Sequence, residues 1–410
     1  MPVPSPRLVP SPSLTPGIGI QPDKVLPPIR IDLYDKTMAW LGPIGEPLSV
    51  TATPRRNAVS DCAFTVDAAH PRIADLMTTG TRAVVTYQPA GIEPFRLISG
   101  RVTERAGENP SAQATRTFTV RDDWMILQTT PGWPSPDKPI DQQDSILKYT
   151  KKGPAETVVL DLLQKMYVGV LGQSLTLPAD QGRGGTVSTA FRMDYLYDQL
   201  FPAVDNAGII VGIGQNGDHR EVTIREPDTF PFTLTEGSGV VVNGSFDVTD
   251  ATATRIIVGI APVDDGSDTQ TARIFRQFIN NTLEAQIGEP VVMYVDGTDI
   301  ALNDDVTAEA QSKANDAFKD TAAKVNLDIT LIESGAFRFG KTFQVGDIVS
   351  VQLNNSPVFT DYVREVGIQW DADNGLVVTP KVGNWDSSAD SKLIKEVARM
   401  GKALRSLQRR

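Results

Sequence analysis

The sequence has little of what most catalytic and metal sites are built from. Its single cysteine, Cys62, cannot close an internal disulfide, so the fold must hold without one. The two histidines, His70 and His219, stand far apart, which excludes a histidine-rich metal site. A nucleophile activated by a histidine base would have to use one of them. Yet His70 precedes Pro71 in loop-like text and His219 sits beside an Asn-Gly pair. No apolar run reaches the ~18 residues of a membrane-spanning helix. The N-terminus lacks the charged-then-apolar order of a secretory signal, so synthesis and residence in the cytoplasm, or release by lysis, are expected. Basic residues are outnumbered too. With 39 Lys and Arg against 50 Asp and Glu, the net charge is −11, and no specific nucleic-acid binding is expected where a basic face would be needed.

What is present is length and pattern. A chain of 410 residues has room for about two to four domains. Nine of the first 28 residues are proline, which favours an extended N-terminal arm over 1–28. From Ile29 the text turns to short alternating runs, "IRIDLYD", "LSVTATP", "CAFTVDA", "RAVVTYQ", "FRLISGRVTER" and "RTFTVRDD", which predict a β unit over 29–127. A Pro-rich linker and two amphipathic helices are expected over 128–205. In "ETVVLDLLQKMYVGVL" Val158, Leu162, Leu163 and Met166 share a face, and in "STAFRMDYLYDQLFPAV" so do Met193, Leu196, Tyr197 and Leu200.

A second β unit over 206–325 opens with a hairpin at Asn216-Gly217. It ends in a helix whose apolar side is Val306, Ala310, Ala314, Ala317, Phe318 and Val325, capped by Asn303 or Asp304. A β-meander follows over 326–386. The fold class is therefore mostly β with helical insertions (α+β), in several domains. The last segment, 387–410, is basic, with seven Lys or Arg against one Glu from Lys392 onward. Leu393, Val397, Met400, Leu404 and Leu407 are spaced four, three, four and three apart, the seam of a short coiled coil. Two heptads interrupted by Gly401 are marginal alone, so this helix needs copies brought together by the domains upstream.

Motifs of catalysis fail on context. "GIGQNG", Gly212 to Gly217, fits a dinucleotide fingerprint but runs into an alternating strand, where the fingerprint requires a helix. "DADNG", Asp371 to Gly375, lacks the remaining ligands of a calcium loop. Asp264, Asp265 and Asp268 read as an exposed acidic turn. Nothing selects a carboxylate pair for glycoside hydrolysis. Trp124, Trp133, Trp370 and Trp385 fall at strand ends and linkers, where packing is the default. No catalytic residue, cofactor or metal is assigned.

The second half resembles a known family. "EAQIGEPVVMYVDGTDI", "LNDDVTAEAQSKANDAFKD", "RFGKTFQVGDIVSVQLNN" and "DYVREVGIQWDADNGLVVTPKVGN" resemble the C-terminal half of tail-tip or baseplate-hub proteins of long-tailed bacteriophages, often minor tail proteins in phages of actinobacteria. Phe339, Gly340, Phe343, Val345, Gly346 and Asp347 match the family pattern, where they are expected to support the fold. "ATRIIVGI" also fits, with Ile260 where the family often has glycine. "RRNAVSDCAFTVDAAHPRIADLMTTGTRAVVTY" matches more loosely.

The resemblance implies a tail-hub architecture of tube-like β-barrel or sandwich domains. It implies a non-enzymatic homotrimer whose two β domains per chain make a pseudo-sixfold ring. Such a ring would dock on the distal tail protein, face the tape-measure protein, carry other tail-tip or receptor-binding proteins, and reside in the virion. Relatives continue into receptor-binding or wall-cleaving regions for which 410 residues leave no room. The rival reading is a tail-associated wall hydrolase or a carbohydrate-binding adhesin.

Overall fold

The computed structural model describes residues 27–107, 114–145, 148–260, 274–297, 300, 306–322, 324–354 and 356–383. Nearly all of the Pro-rich arm lies outside the described residues, as do Asp264, Asp265 and Asp268, the capping candidates Asn303 and Asp304, Trp385, and all five seam positions from Leu393 to Leu407.

The first unit comprises β1 (Ile29–Tyr34), β2 (Trp40–Ile44), β3 (Ser49–Thr53), β4 (Asp61–Asp67), a short helix α1 (Ile73–Met77), β5 (Arg82–Tyr87), β6 (Phe95–Gly107) and β7 (Thr115–Asp122). Alternation builds it. Cys62, Phe64 and Val66 of β4 point to the core while Asp61, Ala63 and Thr65 stay partly exposed. The strands pair antiparallel in the order β3-β4-β7-β6-β5-β1-β2.

Next come α2 (Met125–Thr129), β8 (Tyr149–Pro154), α3 (Ala155–Leu162), a π-helical continuation (Leu163–Val170), β9 (Thr186–Phe191), α4 (Leu196–Asn206), β10 (Ile210–Asn216) and β11 (His219–Arg225). Val158, Leu162, Leu163 and Met166 are buried together, as their spacing requires. The second expected helix is shorter than its text suggests. Val187, Thr189 and Phe191 are buried at every second residue, so this part is a strand paired with β8. Met193 takes φ +67° and stands exposed, a conformation no right-handed helix admits. The helix starts only at Leu196. β10 and β11 form the hairpin expected at Asn216-Gly217, and their Val211, Ile213, Val222 and Ile224 join the core of this helical module.

The remainder holds β12 (Thr229–Thr235), β13 (Val241–Thr249), β14 (Arg255–Ile260), β15 (Ile274–Ile279), α5 (Asn281–Ile287), β16 (Val292–Gly297), α6 (Val306–Asp320), β17 (Lys324–Leu331), β18 (Ile348–Gln352), β19 (Val358–Asp371) and β20 (Gly375–Gly383). β14, β15 and β16 form a small sheet against which α6 lays Ala310, Ala314 and Ala317 on Ile256, Val258 and Ile260. Val325 is not on that helix. It lies in β17, opposite Val248, because the chain turns after Asp320 and resumes as a strand.

β19 is the pivot of the architecture. It pairs with β20 along one side and with β18 and β3 along the other, with Ile368 opposite Ala52 and Trp370 opposite Val50. The first and last β units thereby merge into one sheet of 13 strands, whose main path runs from β2 to β13 and from which β18 and then β12 branch at β19. A single hydrophobic core runs beneath both units, from Ile31 and Phe64 to Val349 and Ile368.

Candidate functional site

The turn from Phe339 to Asp347 lies where three modules meet. Phe339 packs its ring 5.3 Å from Tyr87 on β5 and 5.6 Å from Phe95 on β6. Phe343 stacks on Phe337 at 3.9 Å, and Phe337 meets Phe230 of β12 edge-on at 5.1 Å. The aromatic rings thus form a continuous bridge between the first and last β units. Two glycines permit the approach. Gly340 has φ +75° and a Cβ there would fall 2.5 Å from the Phe95 ring, while Gly346 has φ +93° and a Cβ would collide with Ile210.

Asp347 fastens the turn to the helical module. Its buried carboxylate accepts from Arg225 Nη1 at 2.7 Å, from the Asp228 amide at 3.2 Å and from the Gln344 amide at 2.7 Å. Val345 contributes its carbonyl to Arg225 Nη2 at 2.8 Å.

Charged ties of the same kind hold the other contacts between modules. Asp205 of α4 receives both Arg56 and Arg364, whose guanidiniums lie 3.8 Å and 5.1 Å from the Tyr362 ring centroid. Burial and the neighbouring Arg364 charge pull the Arg56 guanidinium down to about 10. Arg82 Nη2 donates to both carboxylate oxygens of Asp123, at 2.9 and 2.7 Å, and its Nε donates to Gln215 at 2.7 Å. Asn57 closes two bonds with the Ile209 carbonyl and the Val211 amide, both at 2.9 Å. Asp122 is the carboxyl moved furthest up. Desolvation raises it to about 8, and it is engaged by Ser60 and by the Trp124 amide.

These ties escaped the sequence reading, since Arg56 and Asp205 are 149 residues apart and nothing local marks them as partners. The motif turn was found there only through its resemblance to a family.

The remaining candidates stay apart. "GIGQNG" is strand and turn, followed by β11, so no helix N-terminus faces a phosphate. Asp371 spends its Oδ1 on the amides of Asp373 and Asn374, and hydrogen bonding from Asn374 lowers its pKa. His70 Nε2 lies 3.0 Å from the Gly45 carbonyl, and His219 stands beside Asp218 at the hairpin. Trp124 and Trp133 are buried, and Trp370 packs partly buried against the main core. Among the described residues no three His, Cys, Asp or Glu gather as metal ligands, and no helix is long and apolar enough to cross a membrane.

The profile of the family described as Siphovirus ReqiPepy6 Gp37-like protein matches residues 30–384. Among solved structures, the 43 kDa tail protein of prophage MuSo2 from Shewanella oneidensis is similar over 86% of this chain and 98% of its own, at 11% identity and a TM-score of 0.52. Prophage tail protein gp18 from Listeria monocytogenes is 12% identical, covering 92% of this chain and 99% of its own, with a TM-score of 0.45. A tail protein from Neisseria meningitidis is 10% identical, covering 87% and 97%, with a TM-score of 0.45. No curated protein sequence matches.

Proposed function

Because the chain belongs to the siphovirus ReqiPepy6 Gp37-like family, a family of phage tail proteins, we propose that it is the hub of the tail tip. Three copies form a ring that closes the distal end of the tail tube and carries the adhesins. The observation that supports this reading is the merging of two β units in one sheet through β3 and β19. Two such units in each of three chains supply six positions, the number needed to match a six-fold ring above. The ends of the sheet suit the closure. β2 and β13 each have a single strand partner among the described residues, and an unpaired strand edge is a template for another chain. Val242, Phe246 and Val248 are exposed along β13.

The ring docks on the distal tail protein on one side and meets the tape-measure protein within. The short seam from Leu393 to Leu407 acts as a secondary clamp, and the mechanism is mechanical and non-enzymatic. The residues of the motif turn keep the two β units in fixed relation, which a rigid ring requires.

The test is light scattering of the purified chain, expected at about three times 44.4 kDa, together with a cryo-electron reconstruction of the particle that counts its copies at the tail tip. A monomer that persists on concentration, or a location along the tube, overturns the reading.

A further inference from the structure

Three arginines stand in one row across adjacent strands. Arg82 on β5 is the register partner of Arg101 on β6, and Arg101 is the partner of Arg121 on β7. Neighbouring strands lie about 4.8 Å apart, and like charges directly opposite one another destabilise a sheet. The first arginine is neutralised within the fold by Asp123, whose two carboxylate oxygens both accept from its Nη2. Arg121 has one contact of 3.3 Å to the exposed Glu104. Arg101 is exposed and makes no hydrogen bond or ion pair among the described residues.

The row lines a cleft of about 550 Å³ between the first β unit and the helical module. Two more cations enter it. Lys36 comes from the β1–β2 turn. Arg220 reaches it from β11, over the Tyr167 ring at 5.4 Å, with a buried Nε that has no partner. Of the two acids that line the cleft, Asp123 is committed to Arg82, and burial raises the Asp122 carboxyl to about 8. This is a concentration of positive charge in a chain whose net charge is −11. The wall between the cations is apolar, formed by Met38, Met125, Ile126 and Leu171. The size is that of a ligand cleft and the place, between two modules, is a common one.

We propose that this cleft binds an acidic polypeptide segment of another protein, its carboxylates on Arg101, Arg121 and Arg220 and an apolar side chain on the methionine-lined wall. Paired guanidinium–carboxylate contacts are strong and directional, and occupancy would relieve the repulsion built into the row. A nucleic acid fits less well. It has no side chain for the apolar wall, and the chain as a whole, at a net charge of −11, repels its phosphates. The site is formed within one chain, so it stands whether or not three copies assemble.

The experiment is fluorescence anisotropy on the full chain with a labelled Glu-Glu-Leu-Glu-Glu-Leu-Glu-Glu peptide, and in parallel with a labelled oligothymidylate of similar charge. The peptide is expected to bind in a salt-dependent manner and about tenfold more weakly to Arg101→Gln and to Arg220→Gln. Arg276→Gln, on the exposed β15, should leave binding unchanged. Arg101→Gln should also raise the melting temperature of the unliganded protein while diminishing the shift that the peptide causes. Absence of peptide binding overturns the proposal, as does binding indifferent to both substitutions. Tighter binding of oligothymidylate, lost in the same two variants, overturns it in favour of a nucleic-acid site.

Discussion

The Arg225 guanidinium donates to Asp347 Oδ1 at 2.7 Å, joining the end of β11 to the turn that precedes β18. Because the carboxylate is buried and also accepts from two backbone amides, its loss leaves several donors without a partner. Asp347→Ala should lower unfolding stability by about 3 kcal/mol, the low end for a broken buried pair because Arg225 is partly solvated. Urea titration reads this as a lower midpoint at an unchanged slope.

Gly340→Ala and Gly346→Ala should each cost about 2 kcal/mol or more, since both combine a positive φ with a collision at the new methyl group. Gly335→Ala is the matched control. It has open space and no left-handed backbone, so its stability should stay within about 0.5 kcal/mol of the parent. Thermal unfolding of the three variants side by side distinguishes them.

Asp122 gives the protein a pH dependence of definite sign. Its carboxyl titrates near 8 when folded and near 3.9 in an unfolded chain. Between those values the folded state holds a proton that the unfolded state has released. The associated stability is complete below about pH 4 and is lost as pH rises through about 8, at roughly 1 kcal/mol per pH unit. Asp122→Asn cannot titrate. Its stability relative to the parent should therefore climb from pH 5 to pH 8, and denaturant midpoints measured at both values check it.

Cys62 is wholly buried in the core of the first β unit, and burial pushes its thiol above its ordinary pKa. A thiol-reactive dye should leave it unmodified in the native protein and label it at the rate of unfolding. Fast labelling under native conditions would mean that β3 and β4 open readily.

Deletion of residues 389–410 should leave the β units folded and still assembled, with weaker attachment of whatever continues the tail axis. Light scattering of the truncated chain checks the order of dependence. A folded monomer would make the terminal seam the driver of assembly.

Period-two patterning made most of the strands readable, since each of the six runs quoted from the first unit overlaps one of its strands. β2 was missed because "WLGPI" carries Gly and Pro and presents an exposed Trp40, the composition of an edge strand that packs one face poorly. The helix placed over Met193 failed because a short apolar run fits either period, and only tertiary pairing with β8 decides between them. The joint was half legible. Gly340, Gly346 and Asp347 stood out as a family pattern, but their partners Phe95, Ile210 and Arg225 come from other modules, and local sequence does not carry that information. The arginine row was invisible for a related reason. Its members fall on three strands, and nothing in the local sequence relates them until the register sets them opposite one another.

The pairing of β3 with β19 also governs how the protein is made. Ala52 leaves the ribosome long before its partner Ile368. At about 5–20 residues per second, the edge of β3 waits on the order of tens of seconds for the strand that covers it. During that interval the nascent first unit offers an open edge to other nascent chains on the same message, which makes strand exchange between copies a hazard of synthesis. The joining of the two units thus comes late, a consequence of pairing a strand of the first unit with one of the last.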